Sequence, residues 1–255
     1  MLMEIISRSF IAYRSNLDVL FRIARIWLPI VVVWALFLKF ALAPLARGSL
    51  LAQGDFRGLL FLLVYVFANL VIASGIAVPW HRLLLLRDRS YAEKFSFGPM
   101  EKRYLTRLIA MNLASLVYIL VLLFVVIKLG QGGRVASLAI TATVLPYAMR
   151  FSLVLPAAAL SEPFSFSDAY LVSRGMGWRM FAATLALTLP MVFVARIVLE
   201  IVDLLLRKTP GMFKDIVEII LAEACGIAIA LMFVSVLSIS YAVAKERWFA
   251  GGQSA

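Results

Sequence analysis

Six runs of mostly apolar residues, 26–46, 59–80, 108–127, 135–160, 180–198 and 216–243, divide this chain of 255 residues. A helix rising about 1.5 Å per residue needs about 20 such residues to cross a hydrocarbon layer about 30 Å thick. Each run is therefore long enough for one crossing, and together they account for most of the chain. Composition agrees: 64% of residues are hydrophobic and 15% charged, against about half and about a quarter in a soluble domain. The expected fold is all-α, a polytopic membrane helical bundle in a single integral membrane domain.

The charges between the runs set an orientation. Lys and Arg total 25 against 14 Asp and Glu, a net charge of +11. The segments 8–25, 82–107, 174–179 and 245–247 face one side and carry 15 basic residues, whereas 47–57, 128–134 and 207–214 face the other with 7. Basic loops are retained in the cytoplasm, which places both termini there. Trp27, Trp80, Trp178, Trp248, Tyr104, Tyr147 and Tyr241 fall near the same helix ends, where an interfacial aromatic belt is expected. Dispersed basic residues point to anionic lipid headgroups as partners and away from nucleic acid. A second copy or another membrane protein is the further partner considered.

Residues 1–25 read as a basic amphipathic interfacial helix. Ile6, Phe10, Tyr13, Leu17, Leu20 and Phe21 make its apolar stripe, with Arg8, Arg22 and Arg25 on the other faces. A charged lead of this length is too long for a cleavable signal, although Ala41-Leu42-Ala43 follows an apolar run. A repeat follows. Phe95-Ser96-Phe97 and Phe164-Ser165-Phe166 lie 69 residues apart, preceded by Pro79-Trp80-His81-Arg82 and Pro146-Tyr147-Ala148-Met149-Arg150. Gly98 with Pro99, and Ser167 with Asp168, are the expected N-cap and first-turn pairs. The scheme is three hairpins, each preceded by an interfacial helix: hairpin one at 26–94, hairpin two with its lead-in at 95–163, hairpin three with its lead-in at 164–250.

The run Arg150-Phe151-Ser152-Leu153-Val154-Leu155-Pro156-Ala157-Ala158-Ala159-Leu160-Ser161-Glu162, continuing through Ala169, Ser173-Arg174-Gly175 and Gly177-Trp178-Arg179, resembles uncharacterised bacterial six-span proteins and the membrane domain attached to some glycerophosphodiester phosphodiesterases. The resemblance covers residues 79–181. It implies the membrane scaffold in a bacterial cytoplasmic (inner) membrane, without that enzymatic activity, because no catalytic domain of that type accompanies it.

Ionisable residues suited to catalysis are scarce. His81 is the sole histidine and Cys225 the sole cysteine, which argues against a His or Cys metal cluster and against an internal disulfide. No nucleophile elbow, zinc-protease helix or phosphate loop occurs, and Gly130-Gln131-Gly132-Gly133 reads as a turn. No cofactor and no catalytic residue is expected. Charges inside or beside the spans carry more information, because each is costly to insert. Lys39 is expected to snorkel outward. Arg196 and Glu200 are four apart on one helix and suited to pair, and Glu223 is a second candidate for Arg196 across helices. Arg150, Arg82 and His81 are the candidate ligand or lipid contacts. Arg150 is expected at the inner interface, with residues 151–160 running shallowly along it; the alternative is that Pro146 and Pro156 break the helix and present Arg150 to an anion. Asn69, Ser74, Asn112, Ser115, Thr184 and Thr188 are expected to hydrogen-bond between helices, and Ala222, Gly226 and Ala230 to form a close-packing ridge within the bundle or between copies. The leading function is a non-catalytic scaffold that organises lipid or supports a complex. The alternative is a transporter for a small anionic or amphiphilic substrate, lined by Arg150, Arg196 and Glu223.

Overall fold

The computed structural model describes residues 1–42, 56–92, 97–209 and 211–252, all helical or in short connections, with no strand among them. Ala43, Arg47, Lys94, Phe95 and Ser96 lie outside the described residues. The helices are α1 (Leu2–Arg14), α2 (Leu17–Phe37, extended by a π-helical turn Leu38–Leu42), α3 (Phe56–Leu86), α4 (Arg89–Ala92), α5 (Pro99–Leu129), α6 (Gln131–Phe151), α7 (Val154–Ala159), α8 (Phe166–Val172), α9 (Gly177–Leu205) and α10 (Gly211–Gly252). Six helical segments are long and apolar enough to cross a membrane, on α2, α3, α5, α6 running into α7, α9 and α10. The chain thus has the make-up of a multi-pass membrane protein.

α10 is the axis of the bundle and packs against α1, α2, α3, α7 and α9. Its stretch 231–244 is enclosed: Leu231, Val236, Leu237, Tyr241 and Ala244 are buried. α1 meets the last turns of α10 at this end, where Arg8 pairs with Glu246 at 2.9 Å and the Arg247 guanidinium reaches Met1 Sδ at 3.0 Å.

The amino-terminal segment is shorter and more enclosed than its sequence suggests. The Asn16 amide and the Ser15 hydroxyl both donate to the Ala12 carbonyl, at 2.7 and 3.3 Å. These local bonds compete with the backbone ladder and end α1 at Arg14, so residues 17–25 belong to the first span. Its buried stripe is Ile5, Ser9 and Tyr13, four apart, facing α9 and α10, while Phe10 and Phe21 are exposed. Protein, not a headgroup layer, takes the inner face of α1.

The lead-in helices also differ from one another. Gly98 caps α5 with Pro99 in the first turn, as its sequence indicates, and Glu101 accepts the Gly98 N–H at 2.8 Å. α5 then runs unbroken to Leu129, so its lead-in is continuous with the span. α8 is a separate helix, and its N-cap is Ser165 instead of Ser167. The Ser165 hydroxyl accepts from the Asp168 N–H at 3.1 Å, and the Asp168 carboxylate accepts the Ser165 N–H at 2.8 Å.

The fourth run breaks after Phe151, ahead of Pro156 and not at Pro146, which lies inside α6, and residues 151–160 do not lie along a surface. α6 ends at Phe151, a turn follows, and α7 is enclosed by α3, α5 and α10, with residues 153–159 all buried. α7 closes with a left-handed residue at Ser161 (φ 59°). The Glu162 and Ser161 N–H groups donate to the carbonyls of Ala157 and Ala158 at 3.0 and 3.1 Å, a Schellman closure that is normally the place of glycine.

Candidate functional site

Polar side chains gather at the terminus-bearing end, around the second half of α10. Pro79 lies inside α3 and cannot donate to the Gly75 carbonyl one turn back. Immediately after it, Trp80 and His81 are fully buried against α10. The Trp80 indole N–H donates to the Ser235 hydroxyl at 2.8 Å, and the His81 Nδ1 lies 2.7 Å from the Ser238 Oγ. The Ser238 hydroxyl donates to the Val234 carbonyl at 2.8 Å, so its oxygen accepts from His81 Nδ1–H. Nε2 is left facing the Tyr104 hydroxyl at 3.5 Å. With its proton directed at its own helix, Ser238 fixes the imidazole instead of being activated by it. His81 is thus a core residue, not an interfacial helix end. The serines at 235 and 238, three apart on one face of α10, carry the inter-helix bonding here.

Arg82 and Arg150 end α3 and α6 in related ways. The Arg82 guanidinium lies 4.7 Å from the centre of the Tyr91 ring and bonds the Asp88 carboxylate at 2.8 Å. That guanidinium, and then the Ser90 hydroxyl, hold Asp88 below the usual aspartate range. Tyr91 in turn donates to the buried Glu101 at 2.7 Å. Arg150 is only 9% exposed. Its guanidinium lies 3.8 Å from the centre of the Tyr170 ring, its Nε donates to Ser173 Oγ at 3.2 Å, and Nη2 donates to the Tyr170 carbonyl. Among the described residues no carboxylate pairs with it. Beside it a cavity of about 150 Å³ is lined by Pro146, Tyr147, Arg150, Gly175, Gly177 and Trp178. Gly177 lets α9 cross α6 closely: a Cβ there would stand 2.4 Å from the Pro146 carbonyl oxygen.

A further group, not picked out from the sequence, forms on Glu162. Its carboxylate accepts from the Tyr241 hydroxyl and from Lys245 Nζ, the latter at 2.8 Å. Farther along α10, Tyr13 donates to the Ala228 carbonyl at 3.2 Å, and burial pushes its phenol up to about 12.

The other end of the bundle holds the remaining candidates apart. Lys39 does not extend freely but pairs with Asp215 of α10 at 2.7 Å. Arg196, Glu200 and Glu223 make no ion pair with one another. Arg196 is exposed and Glu200 lines a cleft of about 470 Å³ with Lys39, Asp203 and Glu218, a place separate from the Arg150 cavity. Ala222, Gly226 and Ala230 are exposed, and nothing lies within 4 Å of a Cβ built on Gly226. The ridge is not a packing seam inside this bundle.

Other expectations take a different form. Asn69, Ser74, Asn112, Ser115 and Thr188 each donate to a carbonyl three or four residues back on their own helix, and Thr184 Oγ1 has no partner. Of the aromatic residues, Trp27, Trp80, Tyr104 and Tyr241 are buried in protein, whereas Tyr147, Trp178 and Trp248 are exposed. Among the described residues no three His, Cys, Asp or Glu side chains are grouped to hold a metal. Comparison with protein families, curated proteins and solved structures finds no match for the chain.

Proposed function

We propose that the chain is a non-catalytic scaffold of the bacterial cytoplasmic membrane that organises anionic lipid or supports a membrane-protein partner. Its six spans form three hairpins, led in by α1, by the first turns of α5 and by α8, with both termini in the cytoplasm. The observation that carries this reading is the concentration of basic residues at the end where α1 meets the last turns of α10: the segments assigned to it hold 15 of the Lys and Arg, and those assigned to the other end hold 7. Each such residue near an anionic leaflet adds about 1 kcal/mol of attraction. Trp178, Trp248 and Tyr147 are exposed at the same end, where amphipathic rings are favourable at the headgroup level. The polar groups buried behind that face fix helix ends to α10, so the surface is held rigidly.

Native mass spectrometry of the protein released from nanodiscs tests the proposal. Retained phosphatidylglycerol or cardiolipin, or a stoichiometric protein partner, is the expected result. Release with no anionic lipid and no partner overturns it. Reporter fusions check the orientation, and both termini must score as cytoplasmic.

A further inference from the structure

The two repeat-related arginines differ in one respect. Arg82 and Arg150 each follow an intrahelical proline, and each lies against a tyrosine ring, Tyr91 and Tyr170. Arg82 is neutralised within the chain by Asp88 at 2.8 Å. Arg150 has a hydroxyl and a carbonyl in place of a carboxylate. A guanidinium offers five N–H donors, and the bonds to Ser173 and Tyr170 leave part of the fork without an acceptor among the described residues. The remaining nitrogen is not enclosed without a partner, so it stays open to an anion entering the adjoining cavity.

We infer that Arg150 and the first turn of α9 bind a phosphate group, presented by an anionic lipid headgroup or by a free phosphate. This deepens the scaffold reading and rests on it for the source of the lipid. The cavity beside Arg150, about 150 Å³, equals roughly five waters at about 30 Å³ each. It has room for a phosphate with a short polar extension. Its lining includes Gly175, Gly177 and Trp178, where α9 begins. That helix has no side-chain cap and no acid in its first turn, so its first N–H groups have no side-chain acceptor and the positive end of its dipole lies at residues that line the cavity. α5 and α8 have an acid in the same position, Glu101 and Asp168. Gly175, at φ 75°, turns the chain into α9 with no side chain on the approach. Tyr147 and Trp178 are exposed beside the opening, as suits a headgroup arriving from the membrane surface.

The test uses the full chain in nanodiscs of phosphatidylcholine doped with phosphatidic acid or phosphatidylglycerol, read by native mass spectrometry. Arg150→Gln should lower retention of the doped lipid at least about tenfold, as expected for loss of a charge-assisted contact, while Lys208→Gln, on an exposed turn at the other end, should leave it nearly unchanged. In pure phosphatidylcholine, inorganic phosphate that raises the melting temperature of the wild type but not of Arg150→Gln identifies the free ion as the ligand and equally supports the site. A second arm needs no substitution: photoactivatable phosphatidic acid should cross-link to Tyr147 and to residues 175–178. Equal lipid retention in Arg150→Gln with no phosphate effect, or cross-links spread evenly over the basic end, overturns the site and leaves the scaffold standing. Complete absence of anionic lipid and of a partner is the separate outcome that removes the scaffold.

Discussion

The two ends of the bundle are built on different terms. At the terminus-bearing end, α10 is enclosed from Leu231 to Ala244, Trp80, His81 and Glu162 are tied to it by polar bonds, and Arg150 is tied to Ser173 and Tyr170. At the other end the helices present apolar side chains outward: Leu116, Leu120 and Phe124 of α5, Phe193 and Ile197 of α9, and Leu62, Leu63 and Phe67 of α3 are all exposed. In water such a surface would collapse or aggregate, but against acyl chains it is an ordinary solvent contact. Lipid removes the hydrophobic drive for helices to associate, leaving dispersion, close approach and hydrogen bonds. The protein concentrates all three at one end. Specific geometry is therefore held there, and the candidate ligand contacts Arg82 and Arg150 lie within it.

Truncation of a core leucine gives the largest expected contrast. Leu237 is fully buried on α10, whereas Leu120 is half exposed on α5. Leu237→Ala should cost about 2–4 kcal/mol through lost packing and a cavity, and Leu120→Ala should stay within about 0.5 kcal/mol. Cys225, the single cysteine and partly buried on α10, makes a thiol-reactive dye a direct reporter of thermal unfolding in detergent. Similar losses for the two variants would erase the distinction between the ends.

Next in size is a pair of glycine substitutions. Gly177→Ala places a methyl 2.4 Å from the Pro146 carbonyl oxygen, and since both groups are anchored in helices it should cost about 1–3 kcal/mol. Gly226→Ala meets nothing within 4 Å and should gain roughly 0.5–1 kcal/mol from helix propensity. A loss at Gly226 in the same melting assay would sharpen the comparison differently, since it would mean that a second copy covers the small-residue ridge.

What could be read from the sequence follows the same division. Span number and approximate position depend only on length and hydropathy, and all six were legible. The start of α5 was legible too, because Gly98-Pro99 is a local signal. Side-chain partners were not. A helix that is apolar all round shows no preferred face, so nothing in the last span marks Ser235 and Ser238 as facing inward; their meaning comes from Trp80 and His81, 155 and 157 residues away. The same limit explains why Asn112 and Ser115 suggested inter-helix bonds and satisfy their own helix instead, and why Arg196 and Glu223 suggested a pair that does not form. At the candidate site the chain gave Arg150 and its prolines, but not the enclosure of residues 153–159. Hydropathy alone cannot tell a segment covered by protein from one covered by lipid.

A smaller effect is expected at Ser161, which holds φ 59° to complete the closure of α7 and to aim Glu162 at Tyr241 and Lys245. A left-handed residue with a Cβ costs about 1 kcal/mol relative to glycine. Ser161→Gly should therefore raise stability by up to about 1 kcal/mol in the same melting assay. The same change to glycine at an exposed far-end position already in helical conformation, such as Leu120, should lower stability instead.

The smallest effect concerns acid, and it separates the two arginines. Asp88 titrates below the ordinary aspartate value of 3.8 when folded, because Arg82 and then Ser90 hold its carboxylate charged. A carboxyl with a depressed folded value contributes stability in full above the unfolded pKa and loses it as pH falls through the folded one. The contribution belongs to a partly exposed pair, worth under about 1 kcal/mol. Melting temperature should thus fall more steeply below about pH 4 in the wild type than in Asp88→Asn, which lacks this titration. Arg150 has no carboxylate partner among the described residues, so its anchorage to Ser173 and Tyr170 should not respond over that range. Parallel acid profiles for wild type and Asp88→Asn would mean that the Arg82–Asp88 bond contributes nothing to the fold, and the contrast with Arg150 would then rest on geometry alone.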